Sequence, residues 1–174
     1  GNAMYFIPLN VFFKRKNDFS PETMTRAYEI FAQEMIKLSY GQGLDIYWHK
    51  GNAVADEKQY LQMCAYKTGA LARMSARLAA NFAGAGSDET EALGKYAEAI
   101  GVAFQIQDDV LNLEGEEEKY GKEIGGDISE GKQTLITIHA LKHLPPVKAT
   151  RLQEILASHS KEERVIREAI ALIK

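Results

Sequence analysis

Residues 93–112 read LGKYAEAIGVAFQIQDDVLN, with apolar side chains recurring every three or four positions as they do on an α-helix. Four polar side chains inside this pattern lie at i, i+3, i+4 and i+7 and therefore share one helix face: Gln105, Asp108, Asp109 and Asn112. Adjacent carboxylates in apolar surroundings repel each other and lose hydration, so we expect a cation to offset them. Oxygen ligands on a rigid element suit Mg²⁺ bound to a substrate phosphate. An ordinary solvated helix end is the alternative, because Asp pairs are common on surfaces.

The segment that follows, residues 113–132, reads LEGEEEKYGKEIGGDISEGK and is rich in glycine. Lys122 and Lys132 stand beside glycines, and Asp127 adds a further acid. Such a segment offers both signs of charge near the Asp pair, as a metal-clamped diphosphate requires: carboxylates hold the metal and lysines neutralise the remaining oxygens. An acidic linker would explain residues 114–118 equally well, but it would not explain the recurring lysines.

Helical periodicity also dominates the rest of the chain, and we find no convincing strand alternation. Ser20 before Pro21 predicts a helix start, and Asp56 with Gln59 resembles a capping box. Gly41 and Gly43 are expected to loosen the first of these helices soon after residue 40. The predicted helices cover residues 21–40, 56–82, 87 to the Asp pair, 134–144, 147–157 and 162–174. The sequence therefore predicts an all-α helical bundle, organised as a single helical domain over residues 1–174.

The helix predicted over residues 56–82 carries a near-continuous heptad stripe that we assign to its buried face. The stripe comprises Leu61, Cys64, Ala65, Thr68, Leu71, Ala72, Ser75, Leu78, Ala79 and Phe82. Cys64 is the only cysteine, so no internal disulfide can form, and a buried reduced thiol is expected.

Composition excludes several classes of function. Hydrophobic residues make up 45% and charged residues 26%, which are ordinary values for a globular protein. The net charge of −3, with both signs interspersed, gives no electrostatic footprint for nucleic acid. No apolar run approaches the ~20 residues that span a bilayer. His139 and His143 have the spacing of zinc ligands, but no third ligand is evident and we expect surface or partly buried histidines.

Five sequence blocks, taken in order, resemble the trans-isoprenyl diphosphate synthases, which make farnesyl and geranylgeranyl diphosphate. They are residues 41–48 (GQGLDIYW), 66–71 (YKTGAL), 101–109 (GVAFQIQDD), 120–122 (YGK) and 126–134 (GDISEGKQT). The resemblance implies an isoprenoid-synthase-like bundle that is incomplete at its N-terminal side, this chain being the C-terminal part. It also implies a prenyltransferase that condenses isopentenyl diphosphate with an allylic diphosphate, uses Mg²⁺, and works as a homodimer. A cytoplasmic location is expected from the single cysteine, Cys64.

The resemblance also implies a role for each matching position. The implied metal ligands are the Asp pair and two acids near it: Asp108, Asp109, Asp45 and Asp127. The implied diphosphate-binding residues are Lys67, Lys122 and Lys132. Thr68 and Gln105 are similar to residues that stabilise the developing carbocation, and Gln42 is similar to a polar partner of Asp45. Asn112 stands where many relatives have an acid, so we expect a weak metal ligand or none there.

The family's first aspartate-rich motif has no counterpart in residues 1–40, so this chain alone is expected to be inactive or nearly so. A non-catalytic or regulatory subunit that pairs with a complete synthase is the alternative. The retained Asp pair and lysines argue against it, because a purely structural subunit has no physical need for them. A terpene cyclase is a third interpretation, disfavoured because no serine follows Asn112 at the spacing that such enzymes use.

Overall fold

The structure is a computed structural model that describes residues 3–51, 54–114 and 124–174. In these ranges the chain forms helices and no strand, which confirms the all-α prediction. The elements are α1 (Ala3–Phe6), α2 (Leu9–Arg15), α3 (Pro21–His49), α4 (Glu57–Cys64), a π-helical turn (Ala65–Gly69), α5 (Ala70–Phe82), α6 (Ser87–Glu114), α7 (Gly126–Ser129), α8 (Leu135–His143), α9 (Pro146–Ser158) and α10 (Glu163–Ile173).

The chain divides into two compact units. The first comprises Gly1–Gly41 and Ala65–Val102, and the second comprises Gln42–Cys64 and Ala103–Lys174. Helices α3 and α6 contribute residues to both units. That the whole chain is a single domain stays a prediction.

Two helix starts follow the predicted capping chemistry. Helix α3 begins at Pro21, and the hydroxyl of Ser20 accepts a hydrogen bond from the Thr23 backbone N–H at 3.2 Å. Before α4, Asp56 Oδ1 accepts from the Gln59 N–H at 2.7 Å, and Gln59 Oε1 accepts from the Asp56 N–H at 2.9 Å. These reciprocal bonds satisfy donors that the first helical turn leaves unpaired, so the capping box is confirmed.

The predicted end of α3 near residue 40 is wrong, because the helix continues to His49. Gly41 is buried, and a Cβ there would lie 2.7 Å from the carbonyl carbon of Tyr66 and 2.8 Å from Cα of Lys67. Glycine is therefore present for close backbone packing. A mid-helix glycine costs only about 0.5–1 kcal/mol relative to alanine, which packing readily offsets.

The helix predicted over residues 56–82 is interrupted by the π-helical turn, which changes the buried face beyond it. A π turn holds an extra residue, so the helix after it is rotated relative to the periodic pattern. Leu71, assigned to the core, is 48% exposed, whereas Arg73 and Ala80 are buried. The predicted stripe is thus correct at Cys64, which is fully buried, and at Leu78 and Phe82, which pack against the apolar cluster of the first unit. It is wrong at Leu71 and also at Leu61, which lies before the π-helical turn and is 40% exposed.

In the first unit, two arginines of α5 form ion pairs with a buried acid on α3. Glu34 is 1% exposed, and its Oε2 accepts a hydrogen bond from Arg73 Nε at 2.8 Å. Its Oε1 accepts from Arg77 Nη1, also at 2.8 Å. Burial works to raise the pKa of Glu34, but these bonds and the charges of Arg73 and Lys37 hold it below its ordinary value. Nearby, Phe12, Met24, Ala27 and Phe31 form an apolar cluster.

The second unit has its own apolar core, built from the end of α6 and from helices α7 to α10. Its buried members are Leu113, Ile128, Ala140, Leu152, Ile155, Leu156, Ile166 and Ala169. Helix α8 starts as predicted, with the Thr134 hydroxyl accepting from the Thr137 N–H at 3.3 Å. Across the described ranges, every helix is too short or too polar to traverse a bilayer.

Helix α6 presents an unexpected surface in the first unit. Its buried positions there are small or polar, namely Thr90, Gly94 and Gly101. Its large apolar residues at helical spacing are exposed instead: Leu93 by 48%, Tyr96 by 67% and Ile100 by 50%.

Candidate functional site

The two carboxylates of the Asp pair occupy different environments in the second unit. Asp109 is only 4% exposed, and its Oδ2 accepts a short hydrogen bond from the Tyr60 hydroxyl. Its Oδ1 accepts from Gln105 Nε2 at 3.1 Å. Asp108 is half-buried on the same helix. The pair therefore consists of one carboxylate fixed within a buried network and one that is more accessible.

Burial raises the pKa of Asp109 above its ordinary value, because desolvation disfavours the charged form. Hydrogen bonds from Tyr60 and Gln105 act in the opposite direction, and the Asp127 and Asp108 carboxylates raise the pKa further. Burial and the same contact with Asp109 raise the pKa of Tyr60, so the phenol stays protonated and remains a donor. These donors compensate the cost of keeping a carboxylate at this position.

Asn112, near the end of α6, accepts hydrogen bonds from the backbone at the start of α7. Its Oδ1 accepts from the Asp127 backbone N–H at 3.0 Å, and its carbonyl oxygen accepts from the Gly125 N–H at 2.7 Å. Gly125 has a φ of 77°, and a Cβ there would collide with Ile166, so only glycine fits. Asn112 is buried and its Oδ1 is hydrogen-bonded; that it is a weak metal ligand or none stays a prediction.

Asp127 and Lys132 form an ion pair beside this turn. Lys132 Nζ lies 2.6 Å from Asp127 Oδ1 and 2.9 Å from Glu130 Oε2. Burial lowers the pKa of Lys132, but the hydrogen bonds and charges of the two acids outweigh it and raise the pKa overall. Lys132 thus keeps its positive charge, as a diphosphate ligand must. The structure brings together Asp109 and Gln105 in one cluster, and Asp127 and Lys132 in another.

The remaining predicted residues lie elsewhere. Lys67 and Thr68 are half-buried in the π-helical turn, within the first unit. Asp45 and Gln42 are half-buried on α3, in the part that belongs to the second unit. Lys122 falls in residues 115–123, outside the described residues. All these assignments stay predictions.

Tyr60 is the residue that sequence reasoning missed. It stands 49 positions before Asp109, and nothing in the periodic pattern distinguishes it from an ordinary core aromatic. Tyr60 is only 2% exposed. Since a buried tyrosine hydroxyl usually has a hydrogen-bond partner, this burial indicates a polar contact at the hydroxyl. That signal exists only once burial is known.

The histidine expectation is confirmed in its main point: both side chains are exposed. His139 Nδ1 lies 2.9 Å from Glu57 Oε1, and its ring stacks on that of His143 with 4.1 Å between centroids. The helical spacing therefore reflects a surface contact between α8 and α4.

The donors present fit magnesium in type. Within the ranges that the structure describes, no three His, Cys, Asp or Glu side chains are grouped closely enough to enclose a metal ion. Mg²⁺ is bound in many phosphate sites by one or two carboxylates, with water and substrate oxygens completing its shell. Asp108, half-buried and acidic, and Asp127 have the right chemistry for such a shared site.

Across the described ranges, the structure thus combines helices with a buried carboxylate network and a charged lysine, groups of the kind that bind Mg²⁺ and phosphate. The polyprenyl synthetase family model matches residues 1–173. The chain belongs to the polyprenyl synthetase family, and trans-isoprenyl diphosphate synthases are its named relatives.

Among curated proteins, the chain is similar to a short chain isoprenyl diphosphate synthase of Methanocaldococcus jannaschii. The two are 42% identical over 146 residues, which cover 84% of this chain and 44% of that protein. It is also 32% identical to a geranylgeranyl pyrophosphate synthase of Apiospora sacchari, over 94% of this chain and 47% of the relative. The chain thus spans about half the length of these relatives.

Solved structures share the isoprenoid synthase fold. Geranylgeranyl pyrophosphate synthetase from Pyrococcus horikoshii matches with a TM-score of 0.80 and 31% identity, covering 89% of this chain and 46% of that one. A second geranylgeranyl pyrophosphate synthase structure matches with a TM-score of 0.85 and 26% identity, covering 99% and 52%. These likenesses confirm the predicted fold family.

Proposed function

We propose that this chain is the C-terminal portion of a polyprenyl synthetase domain and forms the allylic-diphosphate side of a short-chain prenyltransferase site. The observation that carries this proposal is the buried Asp109 network with the Asp127–Lys132 ion pair in the same unit. The relatives named as isoprenyl and geranylgeranyl diphosphate synthases support it. The proposed reaction condenses isopentenyl diphosphate with an allylic diphosphate.

The chemistry requires charge neutralisation more than a nucleophile. When the allylic carbon–oxygen bond breaks, negative charge develops on the diphosphate and positive charge on the allylic carbon. The ammonium groups of Lys67, Lys122 and Lys132 would stabilise the departing diphosphate, a preorganised electrostatic contribution that can be worth several kcal/mol. The hydroxyl oxygen of Thr68 would face the developing carbocation.

Gln105 has a defined orientation in this scheme. Because its Nε2 group donates to Asp109, the oxygen end of the amide is the one that we propose to meet the carbocation. Tyr60 holds Asp109 from the other side, so Tyr60 positions this network without touching substrate. A fixed dipole costs no reorganisation during the reaction.

Mg²⁺ is the proposed cofactor, with Asp108 and Asp109 as its principal protein ligands and Asp45 and Asp127 nearby. When bound, it would neutralise diphosphate oxygens and so make the diphosphate a better leaving group. Asp109 already accepts two hydrogen bonds from buried donors, so we assign the closer contact to Asp108.

A further part of the proposal is that condensation needs polypeptide beyond this chain. The family's first aspartate-rich motif has no counterpart in residues 1–40, and the chain spans about half of its curated relatives. We therefore expect little or no activity from the chain alone. A homodimer is also proposed, on the family resemblance, and a cytoplasmic location is proposed from the reduced thiol expected at Cys64.

Calorimetry tests the binding part of the proposal. Purified chain is titrated with inorganic diphosphate in the presence and absence of Mg²⁺, and Asp108→Asn is compared with Asp88→Asn, an exposed acid on the same helix. We expect binding that requires Mg²⁺ and is weakened only by Asp108→Asn. Metal-independent binding, or equal loss in both variants, would contradict the assignment.

An activity assay tests the rest. The chain is incubated with isopentenyl and dimethylallyl diphosphates, alone and with the N-terminal half of the M. jannaschii relative. Product formed only in the mixture supports the proposal, and product from the chain alone refutes the need for further polypeptide. Diphosphate binding without product in either case would favour the regulatory-subunit alternative.

A further inference from the structure

The π-helical turn Ala65–Gly69 contains both first-unit residues that the proposed function assigns to substrate, Lys67 and Thr68. A π turn holds one residue more than an α-turn and has poorer hydrogen-bond geometry, so it persists where its surroundings determine it. Such turns occur frequently at functional sites. Helices α3 and α6 approach the backbone of this turn within the first unit.

Two buried helical glycines contact the backbone of the turn, one from α3 and one from α6. A Cβ on Gly41 would lie 2.7 Å from the carbonyl carbon of Tyr66 and 2.8 Å from Cα of Lys67. A Cβ on Gly101 would lie 2.9 Å from Cα of Gly69 and 3.4 Å from the carbonyl oxygen of Thr68. The atoms that would be struck are mostly backbone, which cannot rotate away as a long side chain can.

Neither glycine is required by its own backbone conformation. Positive φ angles among the described glycines occur at residues 51, 84, 125 and 131, not at 41 or 101. Alanine would therefore be preferred at both sites on helix propensity, and close approach is the remaining physical reason for glycine. Gly43 lies two residues after Gly41 on the same helix. A Cβ added at Gly43 would have nothing within 4 Å, so Gly43→Ala provides a matched control.

We propose that Gly41 and Gly101 are positioning residues that clamp the π-helical turn and thereby set where Lys67 meets the substrate diphosphate. This inference rests on the proposed function. To restore an ordinary contact of 3.4 Å, an added methyl group must displace the turn by about 0.5 Å at Gly101 and by about 1 Å at Gly41, where the backbone nitrogen of Lys67 is the nearest atom. Displacements of about 1 Å in positioned groups can cost about 100-fold in function.

The test measures affinity for inorganic diphosphate with Mg²⁺ by calorimetry, for the unchanged chain and for Gly41→Ala, Gly101→Ala and Gly43→Ala. We expect about 10- to 100-fold weaker binding in the first two variants, the equivalent of one lost charge-assisted hydrogen bond. Gly43→Ala should bind as the unchanged chain does. Circular dichroism at the same temperature establishes that each variant is folded.

A thermodynamic cycle separates positioning from general damage. If Gly101 acts through Lys67, then Gly101→Ala should cause no further loss in a Lys67→Met background, whereas a merely structural defect would weaken binding equally in both backgrounds. Equal loss in both backgrounds, or unchanged affinity in Gly101→Ala, overturns the proposal.

Hydrogen exchange covers the case in which an alanine variant does not fold. In the unliganded, unchanged chain, the amides of residues 66–69 should be protected to a similar degree as those of α5, because the clamp forms the turn in advance. Exchange at the rate of an open loop would overturn the inference. Failure of the unchanged chain to bind diphosphate would instead refute the proposed function, and with it the role of the clamp.

Discussion

Tyr60→Phe removes a single hydroxyl group from the buried carboxylate network and leaves the aromatic ring in place. Tyr60 is 2% exposed and Asp109 is 4% exposed, so water cannot easily replace the lost donor. Asp109 would keep the hydrogen bond from Gln105 at 3.1 Å. The perturbation therefore isolates one charge-assisted hydrogen bond.

The expected loss follows from that contact. A hydrogen bond to a charged group contributes about 1.5–3 kcal/mol to folding stability, and a neutral one about 0.5–1.5 kcal/mol. We expect Tyr60→Phe to lower the free energy of unfolding by about 1.5–3 kcal/mol near neutral pH. For a chain of this length, that corresponds to a fall in Tm of about 3–12 °C.

The loss should depend on pH in a defined direction. Because the pKa of Asp109 is raised in the folded chain, its contribution to stability is present at low pH and declines as pH rises through the folded-state value. Removing the Tyr60 donor raises that pKa further, so the folded variant releases its proton at higher pH. The difference between variant and unchanged chain should be small near the ordinary value of 3.8 and grow toward neutrality.

The measurement is urea unfolding followed by circular dichroism at several pH values. Tyr96→Phe is the control, since Tyr96 is 67% exposed, and it should change stability by less than about 0.5 kcal/mol. A double-mutant cycle with Asp109→Asn should give a coupling of about 1 kcal/mol or more at neutral pH. A loss in Tyr60→Phe that is independent of pH, or a coupling near zero, would refute the reasoning.

Three further expectations concern stability and binding. Glu34→Gln removes the carboxylate shared by buried Arg73 and half-buried Arg77, which keep Glu98 and Glu91 as partners, and should cost about 1.5–3 kcal/mol in urea unfolding, whereas Glu29→Gln on the exposed face should cost little; a loss below about 1 kcal/mol would contradict the network. Asp56→Ala removes the capping box and should lower stability by about 1 kcal/mol in thermal unfolding, so an unchanged Tm argues against the cap. Lys132→Met should weaken Mg²⁺–diphosphate binding about tenfold in calorimetry relative to Lys148→Met, and equal affinities would remove Lys132 from the site.

Local signals predicted local structure well. The N-cap at Ser20 and the capping box at Asp56 follow from hydrogen-bonding groups within three residues of each other, and both appear as expected. Start and end positions of α8, α9 and α10 also lie within one residue of prediction. These features need no information from distant parts of the chain.

Which side chains of a helix are buried was harder to predict from the sequence than where the helix starts. The predicted stripe holds at Leu78 and Phe82 but not at Leu71, and it leaves out Arg73, which is buried and pairs with Glu34. Likewise, Gly41 signalled a helix end in the sequence but serves as a packing surface inside a longer helix. Both errors arise from contacts between elements that the sequence pattern does not record.

The chain's own residues determine its helical class, its capping, its family and the identity of the Asp pair, because each depends on spacing along the chain. Only the tertiary structure shows that Asp109 is buried against Tyr60 and that Lys132 pairs with Asp127. It also shows that Gly41 and Gly101 closely approach the backbone of the π-helical turn. Proximity between residues distant in sequence is a property of packing, and periodicity reports only which face a residue occupies.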